Sequence, residues 1–145
     1  MALVVGLVCI ASTALATTTA APTISETKAQ ITDPTQPTSY QLNNPTPQNL
    51  KDYLGKVVVK YGNGDDLYTL SNLIQCESGW NPNAHNPTSA AFGIAQFMPS
   101  TFSGYCGGNY FNPYDQIKCL VIAWTANKQN WWAASKNCWE NYITR

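Results

Sequence analysis

Apolar residues in this chain fall into helical register only after Thr46, and that break limits what it can fold into. Leu50, Leu54, Val57, Val58 and Tyr61 recur at helical spacing, as do Leu67, Leu70, Leu73 and Ile74. Between Thr17 and Pro45 the sequence is rich in Thr, Pro, Ala, Ser and Gln and shows no such period. That is the composition of a flexible linker, not of a folding unit. A core must therefore come from residues 46–145, one small and chiefly helical domain. Residues 1–16 read as a signal peptide or N-terminal anchor. Ala2–Ile10 is apolar and Ala14-Leu15-Ala16 fits a cleavage site, although no Lys or Arg precedes Lys28. The run is short for spanning a bilayer. The expectation is an exported protein, secreted or held at the cell envelope.

Local signals divide the folded part. Thr46-Pro47 is a cap followed by a good first helical residue. Gly62-Asn63-Gly64 ends that helix, and Asp65 or Asp66 can cap the next, which runs into Cys76-Glu77-Ser78 and stops near Gly79. Asn81-Pro82 and Asn86-Pro87 mark a loop. Ala91–Phe97 fits a short strand or hairpin arm, and Pro99–Phe102 opens a helical turn. Asn112-Pro113 starts another helix with Ile117, Leu120, Val121 and Trp124 on its apolar face. The predicted fold is mainly α with a small hairpin.

Composition removes some functions. Eight basic and eight acidic side chains leave no basic stripe to follow a nucleic-acid backbone, and Lys118, Lys128 and Lys136 are spread as a solvated surface would be. His85 is the only histidine, too little for a zinc site beside the cysteines. No metal or other cofactor is expected. Cys76, Cys106, Cys119 and Cys138 then read as two disulfides, with three pairings open, while Cys9 stands alone in the leader. Five Trp and eight Tyr can fill a core or form platforms for flat amphipathic ligands such as sugars. Trp80, Trp131, Trp132 and Trp139 fit either use, with Trp80 the best groove candidate.

Of three glutamates, Glu26 is in the linker and Glu140 is near the chain end, whereas Glu77 ends an apolar helix before a loop of Gly, Asn and Pro. Apolar neighbours there would keep its carboxyl protonated and able to donate to a leaving oxygen. The motif around it is more telling. Glu77-Ser78-Gly79-Trp80-Asn81-Pro82-Asn83-Ala84 precedes Gly93-Ile94-Ala95-Gln96-Phe97-Met98-Pro99-Ser100-Thr101, and Asn112-Pro113-Tyr114-Asp115-Gln116-Ile117 follows. These blocks resemble the lysozyme-like lytic transglycosylases of the soluble type and the related resuscitation-promoting-factor domains, over about Leu50 to Trp139.

The resemblance implies an α+β lysozyme-like fold and Glu77 as sole catalytic acid/base. It implies substrate contacts from the two blocks, at Ser78, Trp80, Gly93, Gln96, Met98 and Thr101. Gly93 would keep the hairpin arm clear of the groove. Asn86 stands where many members carry a substrate-contacting Ser. The Ala-Tyr-Asn-Ala-Gly segment, whose Tyr reaches the catalytic glutamate in the transglycosylases, is absent. Trp131-Trp132 and Cys138-Trp139 occupy that region. Resemblance to the resuscitation-promoting factors implies a Cys76–Cys138 bond and leaves Cys106 with Cys119.

The implied activity is cleavage of peptidoglycan glycan strands by one glutamate, with an anhydro-muramyl product, by a monomer. The alternatives are a hydrolytic muramidase that adds a second carboxylate, from Asp115 or Asp66, and a lysozyme-like module that binds glycan without cutting it. Asp65 and Asp66 also fit helix caps, and Asp115 fits the first turn of a helix.

Overall fold

The computed structural model describes Leu42 and residues 45–142. The leader, Cys9 and nearly all of the linker lie outside the described residues. Helix α1 (Pro47–Tyr61) starts where Thr46 Oγ1 accepts the Asn49 N–H at 3.2 Å. It buries Leu50, Leu54, Val57 and Val58 completely or nearly so. Helix α2 (Asp66–Ser78) buries Leu70, Leu73 and Ile74. Short α3 (Pro99–Tyr105) buries Phe102. Helix α4 (Pro113–Thr125) starts where Asn112 Oδ1 accepts the Tyr114 N–H at 2.9 Å, and it buries Tyr114, Ile117, Leu120 and Val121. A 3-10 segment (Gln129–Ser135), kinked at Trp132, leads into α5 (Lys136–Asn141).

The apolar stripes decide the packing. α1 lies against α4, and α2 lies against α5 and the 3-10 segment. Trp132 and Trp139 are buried in that second layer, and the Trp132 carbonyl accepts Trp139 Nε1–H at 3.3 Å. Cys76 on α2 is bonded to Cys138 on α5, with Cα atoms 6.0 Å apart, and Cys106 is bonded to Cys119 at 5.6 Å. Both separations are ordinary for disulfides. The two bonds fasten α2 to α5 and the loop after α3 to α4.

Three local expectations need correction. Leu67 does not join the buried face of α2; it is 40% exposed in the first turn. Asp65 makes no side-chain capping bond, and Asp66 instead accepts Trp124 Nε1–H at 3.1 Å. Ala91–Phe97 forms no strand among the described residues, only the isolated bridges His85 to Phe92 and Phe92 to Phe97. The cause lies in where its hydrogen bonds go. The segment keeps only single backbone bonds within its own loop, such as Phe92 N–H to the Phe97 carbonyl at 3.2 Å, and side chains from elsewhere take several of its other groups.

Candidate active site

Glu77 is the penultimate residue of α2 and is half-buried. The helix ends because Gly79 is left-handed (φ 59), and Trp80 follows in the same region (φ 65). A non-glycine residue there costs about 1–2 kcal/mol. Trp80 meets that cost with a ring only 3% exposed in the core. Two left-handed residues in succession turn the chain back sharply. The loop of residues 81–97 therefore returns to the end of α2.

That return is fixed by polar contacts. Ser78 Oγ donates to the Ile94 carbonyl at 2.8 Å. Trp132 Nε1–H donates to the Ala95 carbonyl at 2.9 Å. Gln116, 1% exposed, accepts the Ala95 N–H at 3.1 Å and donates to the carbonyls of Phe92 and Tyr110 at 3.2 and 2.7 Å. Tyr110 OH donates to the Phe97 carbonyl at 2.8 Å. Buried backbone groups need partners, and these side chains supply them where no sheet does.

Glu77 receives one protein hydrogen bond among the described residues, to Oε1 from the hydroxyl of Ser135 at the end of the 3-10 segment. Burial pushes the Glu77 carboxyl above its ordinary value of 4.5, and the Ser135 bond pulls in the opposite direction. The negative end of the α2 dipole adds to the upward push. The group is thus biased toward the protonated form while keeping a partner that welcomes the ionised one.

The other singled-out residues take varied places. Gln96, left-handed at φ 50, donates from Nε2 to the carbonyls of Gly93 and Ala84 at 2.9 and 3.1 Å, which holds the loop's shape. Gly93 is left-handed at φ 83, and a Cβ there would sit 2.3 Å from Gln116 Nε2. The crowding that demands glycine therefore falls on a buried amide. Asn86 Oδ1 accepts from the N–H and the hydroxyl of Thr88, both at 2.9 Å, forming a turn. Met98 is 42% exposed at the start of α3, and Thr101 is half-buried within it. Trp80 lies beneath Lys51 Nζ at 5.4 Å and lines a cavity of about 510 Å³ with Leu54, Leu67 and Tyr68. Glu77 does not line that cavity, and Asp65 is the only acid there. A carboxyl with a positioned hydroxyl marks the chemistry better than the volume does.

Asp52, Asp66, Asp115 and Glu140 have other partners. Asp115 Oδ2 accepts the Asn109 N–H at 2.8 Å. Asp52 accepts from Gln48 at 2.7 Å, and Glu140 pairs with Lys136 at 3.4 Å. Asp66 lies eleven residues before Glu77 on α2, a separation of roughly 16 Å at 1.5 Å per residue. No group of three or more His, Cys, Asp or Glu able to hold a metal occurs among the described residues.

A helical domain with a half-buried carboxyl at the C-terminal end of α2, next to a loop held by side chains of α4 and the 3-10 segment, is consistent with a lysozyme-like lytic transglycosylase. Residues 57–120 match the family model of the transglycosylase SLT domain, from mid-α1 through Glu77 to Leu120 in α4. That match supports a peptidoglycan-acting function of the lytic transglycosylase type. No curated protein and no solved structure matches the chain. Gln116 lies inside the matched segment and Ser135 lies outside it. Sequence reasoning assigned neither a role. A signal for Ser135 existed: it stands three residues before Cys138, whose partner Cys76 adjoins Glu77.

Proposed function

We propose that the chain cleaves the MurNAc–GlcNAc bond of peptidoglycan as a lytic transglycosylase, with Glu77 acting first as acid and then as base. The observation that carries this reading is the isolation of Glu77. It is a half-buried carboxyl with raised proton affinity, while Asp52, Asp66, Asp115 and Glu140 are engaged elsewhere and Asp65 is exposed at the cavity beside Trp80. Two-carboxylate glycosidases keep their pair about 5–9.5 Å apart. Asp66, at roughly 16 Å along the same helix, is too far for that.

One carboxyl suffices when the substrate supplies the rest. Glu77 gives its proton to the glycosidic oxygen as that bond breaks. The sugar's N-acetyl group stabilises the oxocarbenium-like centre. Glu77, now ionised, takes the proton of the C6 hydroxyl, and that oxygen closes an anhydro ring. The carboxyl ends protonated, as it began, and no water is consumed. Two disulfides fit an oxidising compartment, so we place the enzyme outside the cytoplasm, acting on the wall.

Glu77→Gln tests the assignment. The variant should fold and bind glycan yet lose at least about a hundredfold in cleavage rate. Retention of more than roughly a tenth of the wild-type rate would exclude Glu77 as the acid/base. Products with reducing ends would favour the hydrolytic muramidase. A wild-type protein that binds glycan and yields no products would favour the binding module.

A further inference from the structure

Ser135 occupies the N-cap position of α5, where a serine ordinarily accepts a backbone N–H of its own helix. Here it makes no capping bond. Its hydroxyl is turned instead to a carboxyl 58 residues away, on α2. Its place is fixed from both sides. Three residues earlier, Trp132 is buried with its Nε1–H on the Ala95 carbonyl. Three residues later, Cys138 is bonded to Cys76, the neighbour of Glu77. Residues 132, 135 and 138 thus form a seam along the end of α2, touching the loop, the carboxyl and the helix in turn.

A hydroxyl has one proton and two lone pairs. Ser135 Oγ has two acceptors within reach, Glu77 Oε1 and the Trp132 carbonyl at 3.1 Å. We propose that Ser135 is the positioning residue of Glu77, a hydroxyl that holds Oε1 so that Oε2 carries the acid proton, and that serves both ionisation states by sharing its own proton with the Trp132 carbonyl. This rests on the reading of Glu77 as acid/base. With a donor at Oε1, the carboxylic proton sits on Oε2, the oxygen left to give it up. When that proton passes to the leaving oxygen, the bond from Ser135 becomes charge-assisted and tightens. When Glu77 recovers a proton from the C6 hydroxyl, the bond relaxes and the Trp132 carbonyl takes the larger share. Ser135 keeps its own proton throughout, so the proton balance of the reaction is unchanged.

Few other charges bear on Glu77. The elements against the end of α2 carry Lys136 and Glu140, exposed and paired with each other, and the loop carries only exposed His85. Lys128 precedes the 3-10 segment, Asp66 is at the far end of α2 with exposed Asp65 before it, and α1, which also packs on α2, carries Lys51 over the Trp80 ring and exposed Asp52, Lys56 and Lys60. A change at Ser135 is therefore read through Glu77 directly.

The test compares Ser135→Ala and Ser135→Thr with the wild type on peptidoglycan, measuring kcat and KM across pH. Ser135→Ala should lower kcat roughly ten- to a hundredfold with little change in KM. It should also move the high-pH fall in rate to higher pH, since burial then acts on Glu77 unopposed. Ser135→Thr should restore the wild-type limb. Should the alanine variant unfold, Ser135→Val replaces it, matching threonine in shape without the hydroxyl. An unmoved limb in the hydroxyl-free variant, or a threonine variant that behaves like it, overturns the proposal. Glu77→Gln, assayed beside them, separates the two levels. If it is inactive while the limb stays put, only the Ser135 role falls; if it is active, the acid/base reading beneath it falls.

Discussion

Gly93 and Gln116 should be energetically coupled, and the sizes can be worked out from their contacts. Gln116→Ala removes one bond to the Ala95 N–H and two to the carbonyls of Phe92 and Tyr110. At about 1 kcal/mol each plus a cavity, the cost is roughly 3–5 kcal/mol. Gly93→Ala places a methyl at φ 83, 2.3 Å from Gln116 Nε2. Backbone strain of about 1 kcal/mol and overpacking of about 1–3 kcal/mol give roughly 2–4 kcal/mol. In the double variant the methyl enters space that Gln116 has vacated, so the overpacking disappears. The combined loss should fall short of the sum by about 1–3 kcal/mol. Urea unfolding with disulfides intact, followed by tryptophan fluorescence and far-ultraviolet circular dichroism, measures all three. Additivity within about 0.5 kcal/mol would refute the contact between the methyl position and the Gln116 amide.

Further outcomes follow from the same contacts. Because burial raises the Glu77 proton affinity in the fold, its stabilising contribution is complete below the ordinary value of 4.5 and is lost as pH rises through the raised one. Glu77→Gln should therefore melt higher than wild type at neutral pH, and the gap should close near pH 4.5; a gap that is constant with pH counts against this. Cys76→Ser and Cys138→Ser should each cost about 4 kcal/mol in the chain-entropy treatment, with the double variant no worse than either; non-reducing peptide mapping that joins Cys76 to Cys106 or Cys119 would contradict the pairing. Asp115→Asn should leave the cleavage rate within a few-fold, about 1 kcal/mol or less in barrier, since its carboxylate holds the Asn109 N–H; a loss as deep as that of Glu77→Gln would point to a two-carboxylate mechanism.

Helix starts were readable where a capping side chain and a proline coincide. Thr46-Pro47 and Asn112-Pro113 open α1 and α4, with the cap bonds in place. Asp66 was harder, because a tryptophan 58 residues away claims its carboxylate. Leu67 fits the apolar period of α2, yet the first turn of that helix stands at the edge of a cavity. A periodic pattern cannot show where a neighbouring helix stops covering it. Ala91–Phe97 read as a short strand or hairpin arm because its composition allows one. Besides a few bonds within its own loop, its backbone is held by Gln116, Tyr110, Trp132 and Ser78, contacts that span 13 to 37 residues. Glu77 could be singled out from the motif that surrounds it. Ser135 left only an indirect signal, its place three residues before Cys138, and a serine at the start of a helix has a sufficient local explanation as a cap.

The central claim is that one carboxyl cleaves the glycan and that the sugar's own hydroxyl, not water, closes the product. Digestion of purified peptidoglycan in heavy-oxygen water, with mass analysis of the released muropeptides, tests this most directly. The account predicts anhydro-ended products, lighter by one water than the hydrolytic ones and free of heavy oxygen at the cleaved end. It also predicts their near-complete loss with Glu77→Gln. Reducing-end products that carry heavy oxygen would contradict it, and would make water the nucleophile at this site.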